Sequence, residues 1–219
     1  MLEQPQGAGL AHHRTIIALD IEQSTRRTDP VKAELRDKVY ELFEMALRST
    51  GIYPRHRDRF VDRGDGLLAL IHPVKQAPKA ILLNRVIPAL GRLLADYNVG
   101  LSRASISYQL RVRIVLHAGE IRYDLHGCFG EALDVAFRLL DDARVKKALR
   151  VTTGPLTLVI SGDIYRSVVR HDYDGVNQPP FQSLGYIQVA GNRHPGWIQV
   201  SEPAVGHRLI DMAEHRKRA

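Results

Sequence analysis

The amino-acid sequence predicts an α+β fold: a ferredoxin-like βαββαβ core followed by a C-terminal α-β-α-ββ extension. Short β-type runs alternate with long amphipathic helix patterns, and an Asp-Gly turn joins two of the runs. With 44% hydrophobic residues in 219, the chain can bury one sizeable core. The first six elements follow the order of a split βαβ unit, in which helices cover one face of an antiparallel sheet.

The first strand and helix follow a leader, residues 1–13, which we expect to be flexible. Residues 15–21 are apolar and largely β-branched, which favours a strand. A helix is predicted from Asp29 to Thr50, because Asp-Pro suits a helix start and a glycine follows its end. Its apolar residues recur at helical spacing: Leu35, Val39, Leu42, Phe43, Ala46 and Leu47.

A hairpin and a second helix complete the middle of the core. The hairpin arms are predicted at residues 53–62 and 67–72, around the turn Gly64-Asp65-Gly66. Pro78 opens an amphipathic helix that ends near Gly100.

The remaining elements complete the core and form the extension. Apolar and polar residues alternate after residue 108, which predicts a strand with one buried face. The later elements are a strand at 108–121, a loop at 127–130, a helix to Leu140, a strand at 156–160, a short helix to Val169, and a hairpin at 181–189 and 196–200.

Composition excludes several classes of protein. The single Cys128 excludes an internal disulfide framework and a four-cysteine zinc site within one chain. No apolar run is long enough for a membrane span, so no membrane partner is predicted. The first residues lack the basic and apolar regions of a signal peptide. We therefore expect a cytoplasmic protein.

The formal charge of +7 suits anionic partners such as nucleotides. Part of the excess lies in a basic tail, residues 202–219, and the rest is interleaved with acidic residues along the predicted helices. Such charges usually form solvated surfaces, and the predicted sheet lacks the aromatic face that stacks RNA bases. We therefore expect one domain at residues 14–201 and no nucleic-acid partner.

Two acidic residues, Asp20 and Asp65, each stand beside an apolar β-type run, next to small, polar or glycine residues. A fold can bring two such carboxylates together at a strand-end surface, where they suit a divalent metal ion. Each also has an ordinary interpretation, Asp20 as a turn cap and Asp65 as a hairpin residue.

Four segments, in this order, resemble motifs of the class III nucleotidyl cyclase (adenylate/guanylate cyclase catalytic) domain. Residues 19–26 are similar to its Asp-Ile-x-x-Ser-Thr metal loop, and residues 64–66 to its metal-binding hairpin. Residues 113–120 resemble its Arg-x-x-x-His-x-Gly-Glu strand, and residues 130–139 resemble its Gly-x-x-Val-Asn-x-Ala-x-Arg-Leu helix. The resemblance covers about residues 14–200 and implies a class III cyclase homology domain. The chain especially resembles short, stand-alone actinobacterial cyclase-like proteins.

The resemblance implies a two-metal site that converts a nucleoside triphosphate to a 3′,5′-cyclic nucleotide and pyrophosphate. Asp20 and Asp65, with the carbonyl of Ile21, would hold two Mg²⁺ or Mn²⁺ ions. The turn that contains Ser24 and Thr25 would bind phosphate.

The chain departs from the family at the base-recognition positions. Val61 stands where the family has a purine-selecting Lys, and Gly127 where it has a base-selecting Asp or Thr. This pattern predicts an altered base preference, for example for a pyrimidine triphosphate as in antiphage-type signalling.

Other family positions lie on the predicted helix and in the final hairpin. Arg138 would stabilise charge on the transferred phosphoryl group, although an arginine alone also suits a surface ion pair. Asp134 replaces the ribose-orienting Asn and would act as a further metal ligand or as a hydrogen-bond acceptor for ribose. The late phosphate-contacting Lys falls at Ala190 or Asn192, and Arg193 is near enough to substitute.

Two functional interpretations remain open. One is an active cyclase of altered base preference, and the other is a degenerate cyclase domain that regulates by binding a nucleotide or a protein. In both, the resemblance implies a head-to-tail homodimer, in which Asp20 and Asp65 of one chain face Arg138 and Asp134 of the other.

Overall fold

The computed structural model describes residues 9–173 and 181–200. Within them, eight strands form one mixed sheet with helices on both faces. The strands are β1 (His12–Ile21), β2 (Val61–Asp62), β3 (Gly66–Ile71), β4 (Val112–Asp124), β5 (Gly127–Phe129), β6 (Leu156–Ser161), β7 (Gln182–Val189) and β8 (Asn192–Val200). The helices are α1 (Asp29–Ser49), α2 (Lys79–Ile81), α3 (Ile87–Val99), α4 (Glu131–Leu140), α5 (Ala143–Val151) and α6 (Gly162–Ser167).

The strand order confirms the predicted fold class. The sheet runs β2-β3-β1-β4-β6-β8-β7, and β5 pairs with the distal part of β4. Its first four strands are antiparallel and have the ferredoxin-like order, whereas β6 adds parallel to β4. The C-terminal extension thus continues the core sheet.

Strand β1 is apolar on both faces, so both faces must be covered. Ile17 and Leu19 pack into the core formed with α1 and α3. Ile16 and Ala18 point to the other side, into the core formed with α4. The prediction that helices cover one face of the sheet therefore describes α1 and α3 alone. Helices of the C-terminal extension cover the other face.

The first strand begins slightly before the predicted start of the domain. Strand β1 begins at His12, so the last two residues of the expected leader belong to the sheet. Residues 1–8 of that leader and the predicted basic tail at 202–219 lie outside the described residues.

The predicted hairpin arm at 53–62 is a strand only at Val61–Asp62, because a 3₁₀ turn at Pro54–His56 occupies its start. The predicted loop at 127–130 contains the short strand β5.

Helix α5 was not predicted from the sequence. It buries only Val145 and Leu149, and the remaining face is basic. Asp142 caps the helix by accepting a hydrogen bond from the Arg144 amide at 2.8 Å. Because α5 is short and has a narrow apolar stripe, its sequence shows little helical periodicity of apolar residues.

The second predicted helix is continuous but irregular. Pro78 precedes α2, and a π-helical turn at Leu82–Val86 leads into α3. Pro88 has no backbone N–H for the carbonyl one turn earlier, and this missing hydrogen bond falls beside the π turn. No helix within residues 9–173 and 181–200 is long and apolar enough to cross a membrane.

Candidate functional site

The two acidic turns lie side by side at the end of the central strands. Asp20 in β1 is the direct partner of Gly66 in β3. The amide of Ile21 donates a hydrogen bond to the backbone carbonyl of Asp65 at 2.9 Å. Asp20, Ile21 and Asp65 line the same cavity, which has a volume of about 360 Å³. The structure therefore brings together the three residues that the sequence suggested as metal ligands.

Gly66 allows this close approach. A Cβ atom at this position would overlap the backbone carbonyl oxygen of Leu19. The preceding Gly64 has a φ of +80°, a turn conformation that L side chains rarely adopt. The Gly-Asp-Gly sequence thus fixes the turn and permits contact between the strands.

Asp20 is already paired with a cation. Arg113 is its direct partner in β4, and the Arg113 guanidinium contacts the Asp20 carboxylate. The two side chains are only 15% and 11% exposed, so the pair is largely shielded from water. Burial lowers the pKa of Arg113 from its ordinary value, yet an arginine remains protonated in proteins.

The same guanidinium reaches the end of α4. Arg113 donates a hydrogen bond to the Leu140 carbonyl at 3.2 Å, and its Nη1 lies 3.7 Å from Oδ1 of Asp141. The Asp141 side chain is 63% exposed and pairs with Lys146 at 3.1 Å. Arg113 therefore lies between a buried and an exposed carboxylate.

The oxygen donors fit Mg²⁺ or Mn²⁺. Asp20 and Asp65 provide carboxylates, and Ile21, whose amide donates a hydrogen bond to the Asp65 carbonyl, lines the same cavity. Across the described ranges, no group of three or more His, Cys, Asp or Glu residues is placed to hold a metal. Mg²⁺ tolerates two protein carboxylates because it keeps water and takes phosphate oxygens as further ligands.

Ser24 and Thr25 line the same cavity. They begin a 3₁₀ turn, Ser24–Arg26, that follows Gln23 in a left-handed conformation with φ of +57°. Glu22 at the start of this segment pairs with Arg111 at 3.3 Å. The turn is thereby held against the sheet edge beside the two Asp residues.

Sequence reasoning missed a set of basic residues beside the carboxylates. A second cavity of about 480 Å³ shares Arg113, Thr25 and Lys146 with the first, and is also lined by Arg26 and Arg150. Lys146 and Arg150 follow one another at helical i,i+4 spacing on α5, a pattern that would have indicated a basic helix face. Such a surface suits phosphate groups.

Arg63, from the Asp65 hairpin, covers one side of the first cavity. Its guanidinium stacks over the ring of Phe137 in α4, 4.3 Å from the ring centre. This cation–π contact connects the hairpin to the helix that carries the other predicted site residues.

Asp134 and Arg138 are exposed and lie one turn apart on the outer face of α4. Neither residue lines the cavity that holds Asp20 and Asp65. The structure therefore does not bring these predicted catalytic residues to the metal ligands of their own chain. Both side chains face solvent in this chain.

Val61, Gly127 and Arg193 also lie away from the Asp20 cavity. Val61 is 37% exposed on edge strand β2, and Gly127 begins β5 with a φ of +135°. Arg193 stacks over the Tyr186 ring at 4.2 Å. The next residue, His194, approaches Glu131 of α4 at 3.7 Å, so Arg193 projects from the opposite face of β8.

His117, in the motif at residues 113–120, packs within the sheet. It is 4% exposed, and its Nδ1 is hydrogen-bonded to the Ser161 hydroxyl at 2.7 Å. Burial lowers the pKa of His117 to about 4, so the imidazole is neutral at pH 7.

No protein-family model matches the sequence, and no curated protein matches it either. Solved structures are similar in fold. An adenylate/guanylate cyclase/hydrolase from Silicibacter pomeroyi has a TM-score of 0.58 at 19% identity, with 88% of this chain and 99% of that chain covered. The adenylyl cyclase CyaB from P. aeruginosa has a TM-score of 0.58 at 14% identity, covering 89% and 96%. The catalytic core of a rhodopsin-guanylyl cyclase with converted specificity, in complex with ATPαS, has a TM-score of 0.56 at 14% identity, covering 88% and 98%.

The expected cyclase fold is thereby confirmed: this chain has the architecture of class III adenylyl and guanylyl cyclase catalytic domains. At these identities the similarity concerns the fold. The similarity to a stand-alone actinobacterial subgroup stays a prediction.

Proposed function

We propose that this chain is a nucleotidyl cyclase-like protein that converts a nucleoside triphosphate to a 3′,5′-cyclic nucleotide and pyrophosphate. The observation that carries the proposal is the convergence of Asp20 and Asp65 on one cavity, directly beside a second cavity lined by cations. Carboxylates suit divalent metal ions, and cations suit a triphosphate. The similarity of the fold to adenylyl and guanylyl cyclase structures supports this proposal.

The residues of the site have distinct roles in this proposal. Asp20, Asp65 and the Ile21 carbonyl would hold two Mg²⁺ or Mn²⁺ ions, which would supply acidification of the 3′-hydroxyl and neutralisation of charge on pyrophosphate. Ser24 and Thr25 position the phosphates from the adjoining turn. The bond that forms joins the 3′-oxygen to the α-phosphorus. The bond that breaks joins the α-phosphorus to the oxygen bridging it to the β-phosphorus, and pyrophosphate leaves with that oxygen.

Arg138 and Asp134 enter the site from a second copy of the chain. Both project from the outer face of α4, away from their own metal ligands. A two-fold head-to-tail homodimer gives each cavity one partner arginine, which stabilises charge on the transferred phosphoryl group. Asp134 then contacts ribose or metal, whereas Arg193, which stacks over Tyr186 away from the Asp20 cavity, is given no role in the site.

Base preference differs from the purine pattern in this proposal. Val61 is an exposed aliphatic residue on edge strand β2, and Gly127 has no side chain. Neither provides a side-chain donor or acceptor for the edge of a purine. A smaller pyrimidine base is therefore the first candidate, in the setting of cytoplasmic signalling.

One observation favours a second candidate function. Arg113 already neutralises Asp20, so the charge of this carboxylate is balanced without a metal. A degenerate cyclase domain that binds a nucleotide or a protein, and regulates without turnover, also agrees with this ion pair.

The deciding experiment supplies each of the four ribonucleoside triphosphates with Mn²⁺ and measures cyclic nucleotide and pyrophosphate. We expect one cyclic product, at a rate lowered at least about 100-fold in Asp65→Asn, since that change removes a metal-holding charge while keeping the shape. Asp37→Asn is the matched control, because Asp37 is an exposed carboxylate on α1 outside both cavities.

Each result separates the two candidates. Nucleotide binding without any cyclic product from the four substrates would support the regulator and rule out catalysis. Unchanged product formation in Asp65→Asn would remove Asp65 from the site.

A further inference from the structure

Arg113 is the one cation that contributes to both cavities and also touches a proposed metal ligand within the described residues. It stands opposite Asp20 on the α4 side of the sheet. A metal ion that takes the Asp20 carboxylate must therefore compete with a guanidinium held in contact with it.

The surroundings of Arg113 provide an alternative position for its charge. Asp141 is the second carboxylate within reach, at 3.7 Å from Nη1, and the Leu140 carbonyl holds the same nitrogen at 3.2 Å. Leu140 and Asp141 line the first cavity together with Asp20 and Arg113. If the guanidinium turned away from Asp20 and kept its hydrogen bond to Leu140, Asp141 would be the nearest carboxylate to receive it.

We propose that Arg113 is an internal competitor for the metal, which occupies Asp20 in the empty site and moves to Asp141 when a divalent cation binds. The inference rests on the proposed metal site at Asp20 and Asp65. It assigns Arg113 a positioning role, since the residue acts through Asp20 and Asp141. Competition by Arg113 lowers the affinity of the site for metal alone. The metal therefore enters together with a triphosphate, which adds oxygen ligands.

The test measures Mn²⁺ affinity by titration calorimetry and by electron paramagnetic resonance, without nucleotide and without turnover. Arg113→Gln removes the competitor, so we expect the Kd for Mn²⁺ to fall at least about tenfold. The matched control is Arg150→Gln, which removes one charge from the same cavity without touching Asp20. Its effect is expected to stay within about threefold, because a separated exposed charge is screened.

A second comparison isolates the role of Asp141. Asp141→Asn is expected to weaken Mn²⁺ binding in the chain that retains Arg113, since the guanidinium then has no carboxylate to move to. In the Arg113→Gln background the same change has little effect, so the two changes are coupled.

Thermal melting provides a further readout. Without metal, the Arg113→Gln variant should melt at a lower temperature than the wild type, and Mn²⁺ should raise its melting temperature more than that of the wild type.

Several results would overturn the inference. Equal tightening in Arg113→Gln and Arg150→Gln would indicate a general charge effect, and weaker binding in Arg113→Gln would mean that the arginine orients Asp20 for the metal. If Arg113→Gln does not fold, Arg113→Lys keeps the charge but loses the two-pronged fork, and binding no tighter than wild type contradicts the competition. Absence of Mn²⁺ binding in wild type and in all variants overturns the metal site of the proposed function itself.

Discussion

At the scale of single residues, burial decides which titratable groups are available for chemistry. His117 belongs to a family-like motif, yet it is enclosed in the sheet and bonded to Ser161. Asp20 and Arg113 are also shielded, but each lines the cavity and has the other as its partner. His117 is therefore a structural residue, whereas Asp20 and Arg113 belong to the candidate site.

His117 makes stability depend on pH. Its folded-state pKa is about 4, below the ordinary 6.5, so between these values the unfolded chain binds a proton that the folded chain does not. Stability is therefore present at pH 7 and is lost as the pH falls from about 6.5 toward 4, by roughly 3 kcal/mol. Urea denaturation at pH 7, 5.5 and 4 measures this loss.

The control is His117→Asn, which keeps a polar atom near Ser161 and does not titrate in this range. The variant should lose roughly 3 kcal/mol less than wild type over the same interval. Equal pH profiles for the two proteins would show that another group causes the acid sensitivity.

At the scale of elements, the site depends on how closely β1 and β3 approach. The hydrogen bond from Ile21 to Asp65 at 2.9 Å and the absence of a side chain at Gly66 together set the spacing of the two Asp turns. The neighbouring α5 adds Lys146 and Arg150 to the same end of the sheet. The turns at the ends of β1 and β3 thus provide the acidic side chains, and α5 provides part of the basic side chains.

Gly66→Ala tests this close approach. The new methyl group would overlap the Leu19 carbonyl, and backbone cannot move aside as a flexible side chain can. We expect a loss of more than about 4 kcal/mol in the free energy of unfolding, measured with urea, and loss of Mn²⁺ binding.

The matched control for this change is Gly91→Ala within α3, where an added Cβ meets nothing within 4 Å. Alanine favours a helix, so this variant should be stabilised by up to about 1 kcal/mol. A mild effect at Gly66, similar in size to that at Gly91, would mean that the strands separate without penalty.

At the scale of the whole molecule, the predicted site residues fall into two groups. Asp20, Asp65, Ser24 and Thr25 share one cavity, while the outer face of α4 carries a second set. A single chain therefore holds the two groups of proposed site residues apart. This separation is the reason for proposing a homodimer.

Mixing two inactive variants tests the composite site. In a dimer of Asp65→Asn with Arg138→Ala, one cavity carries both changes and the other carries neither. After random exchange half of the dimers are mixed, each with one intact site, so about one quarter of wild-type activity should return. Cyclic nucleotide formation before and after mixing measures this recovery.

Sedimentation of the wild type at micromolar concentration, with Mn²⁺ and triphosphate, provides the accompanying check. A protein that stays monomeric under these conditions would rule out the composite site. Each variant alone should remain inactive while retaining the wild-type sedimentation behaviour.

Much of the fold was predictable because it follows from local patterns. Strand β1, helix α1 and the Asp-Gly hairpin were recognised from β-branched runs, helical periodicity and turn residues, all of which act between near neighbours in the chain. Helix α5 was missed because two buried residues give little periodicity, and its stability comes from packing against the sheet.

The sequence by itself determined that Asp20 and Asp65 stand next to strands that can pair, and that Arg138 and Asp134 share one face of a helix. Only the tertiary structure decided that Arg113 lies against Asp20, that Lys146 and Arg150 border the same space, and that Arg193 projects away from α4. Strand alternation and helix period are short-range properties, whereas the partner of a charge depends on strand register across distant parts of the chain. For this reason the carboxylates were predictable from sequence, and the cation that competes for them was not.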